Sequence, residues 1–293
     1  MLVTGGAGFI GSHFADLMGE ARVTVLDKLT YAGDKDNVPG HADLVVGDIC
    51  DRELLRAVVP GHDLVVNFAA ESHVDRSIED PAAFVRTNVL GVESLMRACL
   101  EAGVPRVVHV STDEVYGSID SGSWTEDAPL APNSPYAASK ASGDLIALSY
   151  FRTYGLPVMI TRGANTYGPR QYPEKIIPLF LKLLRNGEPV PLYGDGAHVR
   201  EWLHVEDHCR AVRLVAERGE PGEVYHVGGT TELTNRRLTE LLLAATGRDW
   251  DLVRQAPDRK AHDRRYSLDD ARLRALGYAP MVEFAEGLER LTS

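Results

Sequence analysis

Apolar residues along this chain follow two rhythms. Short, near-continuous runs rich in Val, Ile and Leu recur at "MLVTG", "RVTVLD", "DLVVGDI", "DLVVNFAA", "RVVHVST" and "PVMITRGAN". Between them, apolar positions fall at helical spacing in "GSHFADLM", "DRELLRAVV", "FVRTNVLGVESLMRACLEAG" and "SPYAASKASGDLIALSYFRTYG". Strand and helix in alternation predict right-handed crossovers and a parallel sheet. Strands with no polar face predict helices on both sides of it. After Tyr167 the rhythm breaks. "YGPRQYPEKIIP" is rich in Pro and aromatics, and "PVPLYGDGAHVREWLHVEDH" predicts a short hairpin turning at Gly194 to Gly196. The strand "EVYHVGG", near 222–230, is expected to rejoin the first sheet, and two or three helices follow. The expected fold class is α/β, a Rossmann-type doubly wound parallel sheet over 1–167 with a smaller C-terminal lobe over 168–293.

Composition narrows the class without changing the fold. Of the 293 residues 44% are hydrophobic and 25% charged, the usage of an ordinary globular chain with material for a large core. A formal charge of -11 and a pI near 5.4 speak against nucleic acid and anionic membranes as partners. An anionic ligand would need a local cluster of Arg and Lys. Cys50, Cys99 and Cys209 are scattered and odd in number, which predicts a reducing cytoplasm and no disulfide framework. No leader is expected ahead of "MLVTGGAG", no apolar run reaches membrane-spanning length, and no metal is expected.

The first strand-to-helix turn, "VTGGAGFIGS", carries Gly5, Gly6, Gly8 and Gly11. Gly6, Gly8 and Gly11 fit GxGxxG, and Gly5, Gly8 and Gly11 fit the wider GxxGxxG. Such glycines let backbone N–H groups approach a pyrophosphate at a helix N-terminus. Asp27 ends the second strand near the spacing of an acid that holds ribose hydroxyls. A carboxylate there repels a 2′-phosphate and favours NAD over NADP, although Lys28 beside it works the other way. Asp48, at the end of the third strand, either meets the adenine or is a solvated loop acid.

Tyr136 and Lys140 in "SPYAASKA" stand at i and i+4 on one helix face. An ammonium beside a phenol, together with the positive charge of an oxidised nicotinamide, is expected to lower its pKa from about 10 towards the range of a general base. Thr112 closes the strand "RVVHVST" at the carboxyl edge where such sheets bind ligands, or else caps its own backbone. Asp113 and Glu114 follow directly. Neighbours within a strand point to opposite faces, so the two carboxyls can share one ligand only if the strand has ended by Asp113. Two close acids that cannot both ionise split into a proton donor and a base.

With these motifs in place the chain resembles the extended short-chain dehydrogenase/reductase family and, within it, the dTDP-glucose 4,6-dehydratases. The matching stretches are "VTGGAGFIGS", "LDKLTYAG", "FAAESHVDRSI", "VSTDEVYGS", "SPYAASKA", "YPEKIIPLF", "LYGDGAHVREWLHVEDH" and "ELTNRRL". Related epimerases and decarboxylases of UDP-sugars usually carry another pair where this chain has Asp113 and Glu114; they are the alternative, and a non-catalytic NAD sensor is a third. The resemblance implies an NAD-dependent enzyme with Thr112, Asp113, Glu114, Tyr136 and Lys140 as catalytic residues. It implies cofactor contacts from Gly5, Gly8, Phe9, Ile10, Gly11, Asp27, Lys28, Leu29, Thr30, Asp48, Ile49, Phe68, Ala69, Ala70, Ser72 and Thr87, besides Tyr136 and Lys140. For a nucleotide-sugar substrate it implies Ser72, Thr112, Asn165, Lys175, Arg200, Asn235, Arg259 and His262. It also implies a homodimer joined through the helices around Asn88–Ala102 and Tyr136–Tyr154, whose apolar positions exceed one core face unless the sheet covers them. Thr166 replaces the family's second asparagine, Arg170 is unusual, and the chain stops at Ser293 without the family's aromatic-rich tail.

Overall fold

The computed structural model describes residues 1–292; the expectation about the chain's end at Ser293 falls outside them. β1 (Leu2–Thr4) sits inside a seven-stranded sheet. β2 (Val23–Asp27) and β3 (Ala42–Val46) lie to one side of it, and β4 (Leu64–Asn67), β5 (Arg106–Thr112) and β6 (Val158–Gly163) to the other. β7 (Asn165–Tyr167), β8 (Val190–Tyr193) and β9 (Val199–His204) belong elsewhere, while β10 (Val224–Val227) returns to pair with β6. Every pairing in this sheet is parallel. The order in which strands are added reverses at β1 and β4, the chain winding out to β3 and then returning to β4, which opens a crevice at their carboxyl ends.

Helices cover both faces, as the strand composition requires. α1 (Phe9–Leu17) packs on one face, while α2 (Arg52–Val58) lies on the other. The short α3 (Val74–Glu79) and α4 (Pro81–Val85) then lead through a π-helical turn, Arg86–Gly91, into α5 (Val92–Ala102). α6 (Pro135–Tyr154) joins α2 and α5 on their face, burying Leu55, Leu95, Met96, Ala147 and Tyr150. The single helix expected over 84–103 is therefore continuous but locally widened. Gly91 lets the widened turn pack closely on Ile49, since a Cβ there would lie 2.7 Å from Ile49 Cδ1.

α7 (Ile176–Arg185), α8 (Val205–Arg218) and α9 (Asn235–Thr246) follow, α8 packing beside α1 on the sheet. The rest forms a lobe with its own core of Ile177, Phe180, Leu184, Trp202, Leu238, Leu242 and Phe284. The hairpin expected over 189–208 does not form. β8 pairs in parallel with β12 (Val253–Ala256), whereas β9 pairs with β7 and, antiparallel, with β11 (Thr231–Thr234). The Gly194–Gly196 turn sends the two strands into different sheets. No helix among the described residues is long and apolar enough to cross a membrane.

Candidate active site

A cleft of about 320 Å³ runs along the carboxyl ends of β1, β2, β4, β5 and β6. One end is the glycine turn. Gly5 adopts φ +70, and a Cβ on it would lie 2.6 Å from Ala69 N, so only glycine fits there. A Cβ on Gly11 would lie 2.3 Å from Gly5 O. Gly8 caps α1 without a side-chain hydrogen bond, leaving the first helical N–H groups turned to the cleft for an anion. The Asp27 carboxylate accepts from Ala7 N (2.9 Å) and Leu29 N (2.8 Å), which fixes it beside the turn with lone pairs to spare for hydroxyls. Asp48 accepts a 2.8 Å ion pair from Lys28. Although burial raises it, that lysine holds its carboxyl below the usual value. This end has the shape and donors to hold a dinucleotide.

The other end is chemical. β5 stops at Thr112, and Asp113–Tyr116 form one 3-10 turn, so the strand has ended where two adjacent acids must diverge from strict alternation. The Thr112 hydroxyl caps that turn by accepting from Glu114 N at 3.3 Å and donates to Asp113 Oδ1 at 3.1 Å. Asp113 is 2% exposed and its Oδ2 has no protein partner. Burial first, then the charges of Glu114 and Glu201, hold its carboxyl well above the ordinary range. Burial raises Glu114 as well, opposed by Arg200 and Lys175. Both face the cleft with Tyr136 and Lys140, which α6 presents after the Ser134 cap (Ala137 N to Ser134 Oγ, 3.1 Å) and Pro135 in its first turn.

The protein's own residues do not by themselves lower the Tyr136 pKa. Lys140 Nζ donates to Val110 O at 2.7 Å, and burial lowers its ammonium to about 8. Burial and the Glu114 carboxylate push the Tyr136 phenol upward, with Thr112 opposing them. Desolvation and the neighbouring acids outweigh the Thr112 hydrogen bond.

Of the sequence-derived residues, Gly5, Gly8 to Gly11, Asp27, Lys28, Thr30, Asp48, Ile49, Phe68 to Ala70, Ser72, Thr87, Asn165 and Lys175 line this one cleft with the catalytic set. Leu29 does not: it turns through φ 53 and contributes its N–H to Asp27. Arg200, Asn235, Arg259 and His262 are also outside its lining and gather on the second lobe. Arg200 lies over Tyr266 (4.5 Å), Arg259 over Tyr193 (4.2 Å), and Asn235 N donates to His198 O (2.8 Å). His262 Nδ1 meets Asp258 Oδ1 at 2.6 Å and stacks on His198 at 3.6 Å between centroids. His198, Asp258 and His262 have metal-ligand spacing, with His262 Nδ1 (2.6 Å) and His198 Nε2 (3.5 Å) both facing the Asp258 carboxylate.

The sequence missed His208 and Glu201. His208 lines the cleft fully buried, bonded to Thr166 Oγ1 at 2.8 Å, and burial lowers its pKa to about 4. Glu201 accepts from Gly229 N (2.8 Å) and Leu268 N (3.1 Å), and burial raises it to about 7. Both lie in the quoted stretch "LYGDGAHVREWLHVEDH", where many charged and polar residues stand close together and no spacing singles these two out.

The family model described as GDP-mannose 4,6 dehydratase matches residues 2–291. A dTDP-glucose 4,6-dehydratase of Streptomyces antibioticus is 59% identical, covering 99% of this chain and 90% of its own. The structure of DesIV, a dTDP-glucose 4,6-dehydratase from Streptomyces venezuelae solved with NAD bound, superposes with a TM-score of 0.97 at 57% identity, covering 99% and 95%. A UDP-glucose 4-epimerase of Thermus thermophilus in complex with NAD shares the fold at a TM-score of 0.93 but is 34% identical, covering 99% and 97%.

Proposed function

The chain belongs to the GDP-mannose 4,6-dehydratase family, and on that premise we propose that it is an NAD-dependent dehydratase acting on dTDP-glucose. The observation that carries this reading is the pair Asp113 and Glu114, both in the cleft with Tyr136 and both held above the ordinary carboxylate range. An epimerase has no water to expel and no use for a protonated acid there.

NAD supplies a hydride shuttle, from carbon 4 of the sugar and back to carbon 6, and in oxidised form a positive ring charge that favours the Tyr136 phenolate. Tyr136 takes the proton of the 4-hydroxyl, which the Thr112 hydroxyl helps to orient. The resulting ketone acidifies carbon 5, and Glu114 removes that proton. Asp113 gives its proton to the 6-hydroxyl, which leaves as water. Glu114 returns its proton to carbon 5, and the proton held by Tyr136 makes good the one Asp113 lost. The net change is loss of one water, giving a 4-keto-6-deoxy sugar. Arg200, Arg259, Lys175, Asn165, Asn235 and His262 meet the nucleotide diphosphate and sugar, with a division near residue 167 between cofactor and substrate halves.

Two further readings accompany it. The enzyme works as a homodimer: Val85, Leu90, Leu145 and Tyr154 are 49–59% exposed on the α4–α5 run and α6. Three unpaired cysteines support a cytoplasmic setting. Product analysis after incubation with dTDP-, UDP- and CDP-glucose tests the proposal. A 4-keto-6-deoxy product from dTDP-glucose, formed without added NAD being consumed, is expected; a 4-epimer instead would establish the epimerase.

A further inference from the structure

The segment Gly168–Lys175 joins β7 to α7 with neither helix nor strand, and it faces the glycine turn across the cleft. Gln171, Tyr172, Glu174 and Lys175 line the same cavity as Gly8, Phe9, Ile10 and Gly11. Such a connection could hang free. This one is fastened at both ends to the other half of the molecule.

At its first end, Arg170 pairs with Asp16 of α1 at 2.6 Å and reaches Ser12 Oγ at 3.4 Å. His13, also on α1, meets Pro169 O at 2.9 Å. Arg170 makes this reach in the left-handed region, φ 62, a conformation that costs a non-glycine residue about 1 kcal/mol or more. At its second end, Glu174 pairs with Arg76 of α3 at 3.1 Å, and the Arg76 guanidinium lies 3.7 Å over the Tyr31 ring. Tyr31 in turn meets Tyr172 edge to face at 5.5 Å. Lys175 Nζ donates to Ser72 O at 2.8 Å. Tyr31 belongs to the loop that follows Asp27, so the second fastening closes over the ribose-binding side.

We infer that Gly168–Lys175 is a strap that retains NAD in the cleft, with Arg170–Asp16 and Glu174–Arg76 as its two latches. The inference rests on the proposed function, because a cycle that lends a hydride and takes it back fails if the cofactor leaves in between. Latches made of partly exposed ion pairs suit the task. Each is individually weak, so the strap can open for loading, while both must break together for release.

The test is a chase of labelled NAD from the intact protein by excess unlabelled NAD, with no sugar present. Arg170→Gly keeps the left-handed backbone that glycine favours, so it removes the latch while also lifting the strain that works against the closed strap, and faster release would report the lost latch. This variant is expected to speed release about two- to fivefold, as is Glu174→Gln, with the double variant faster than either. Exchanging the second pair, Arg76→Glu with Glu174→Arg, is expected to restore slow release. Unchanged release rates in Arg170→Gly and Glu174→Gln would overturn the strap. A wild-type protein that retains NAD but forms no keto sugar would instead overturn the proposed function and leave the strap standing.

Discussion

Asp113 and Glu114 leave the end of β5 as neighbours, yet their carboxyls meet different surroundings. Asp113 lies against Thr112 with Oδ2 unpartnered, while Glu114 feels the positive charges of Arg200 and Lys175. The first environment favours a protonated acid and the second an available base. Asp113→Asn is therefore expected to lower turnover by about 10²–10⁴-fold while sugar oxidation persists. Rapid mixing with dTDP-glucose should show reduced cofactor accumulating in this variant. Turnover within a factor of two of wild type would refute the assignment of Asp113 as the acid.

The pH dependence follows from the same groups. Glu114 must be ionised to act, and its raised pKa places the acid limb above the ordinary glutamate value of 4.5. Lys140 loses its proton near 8, removing the positive charge beside Tyr136, so turnover should fall above about pH 8. A kcat profile at saturating substrate checks both limbs. A profile flat through pH 9 would show that the Lys140 charge plays no part.

These two expectations show what the sequence made legible. "VSTDEVYG" announced a strand giving way to two acids, and "VTGGAGFIGS" and "SPYAASKA" announced their own turns and caps, because each motif is a local backbone device. Long-range pairing was not legible. "PVPLY" and "VREWLH" around a Gly-Asp-Gly turn read as a hairpin, but β8 chose the polar "VRQA" of β12 as its neighbour. Glu201 and His208 carry no local signal either; only the assembled fold brings them to the acids and the cleft. How the surrounding protein shifts the Tyr136 phenol was not legible for a related reason, since desolvation depends on everything packed around the ring.

Lys140 should also cost stability. In the unfolded chain a lysine holds its proton to about 10.5, in the fold only to about 8, a difference on the order of 3 kcal/mol. Between those values the unfolded state binds more protons, so this penalty is full below about 8 and shrinks as pH rises. Lys140→Met is thus expected to be about 1–3 kcal/mol more stable than wild type at neutral pH, after leaving Val110 O without its donor. The gain should narrow towards pH 10. Urea melts of both proteins at two pH values measure it, and a gain that widens with pH would contradict the buried ammonium.

Behind the site, Asp144 is fully buried and accepts from Arg162 Nε at 2.8 Å. Asn67 Nδ2 donates to His109 Nδ1 at 2.9 Å, which leaves the proton on Nε2, facing Asp144 Oδ1 at 3.5 Å. Removing one partner strands a buried charge. Asp144→Asn or Arg162→Met alone should cost about 3–5 kcal/mol, whereas the double variant should cost much less than the sum. A double-mutant cycle by denaturant unfolding reads the coupling directly, and additive losses would mean the pair is screened.

The dimer reading has a direct consequence for mass in solution. Leu90 and Leu145 are 57% and 56% exposed, on the π-helical turn before α5 and on α6, which pack side by side. An exposed leucine contributes little to its own chain, so Leu145→Glu should alter monomer stability by no more than about 0.5 kcal/mol. Across a two-fold axis the same change brings two carboxylates into an apolar contact, and desolvating them opposes association. Light scattering after gel filtration should give a two-chain mass for wild type. It should give a one-chain mass for Leu90→Glu with Leu145→Glu, with NAD still bound because neither residue lines the cleft. A two-chain mass that survives both charges would place the contact on another face.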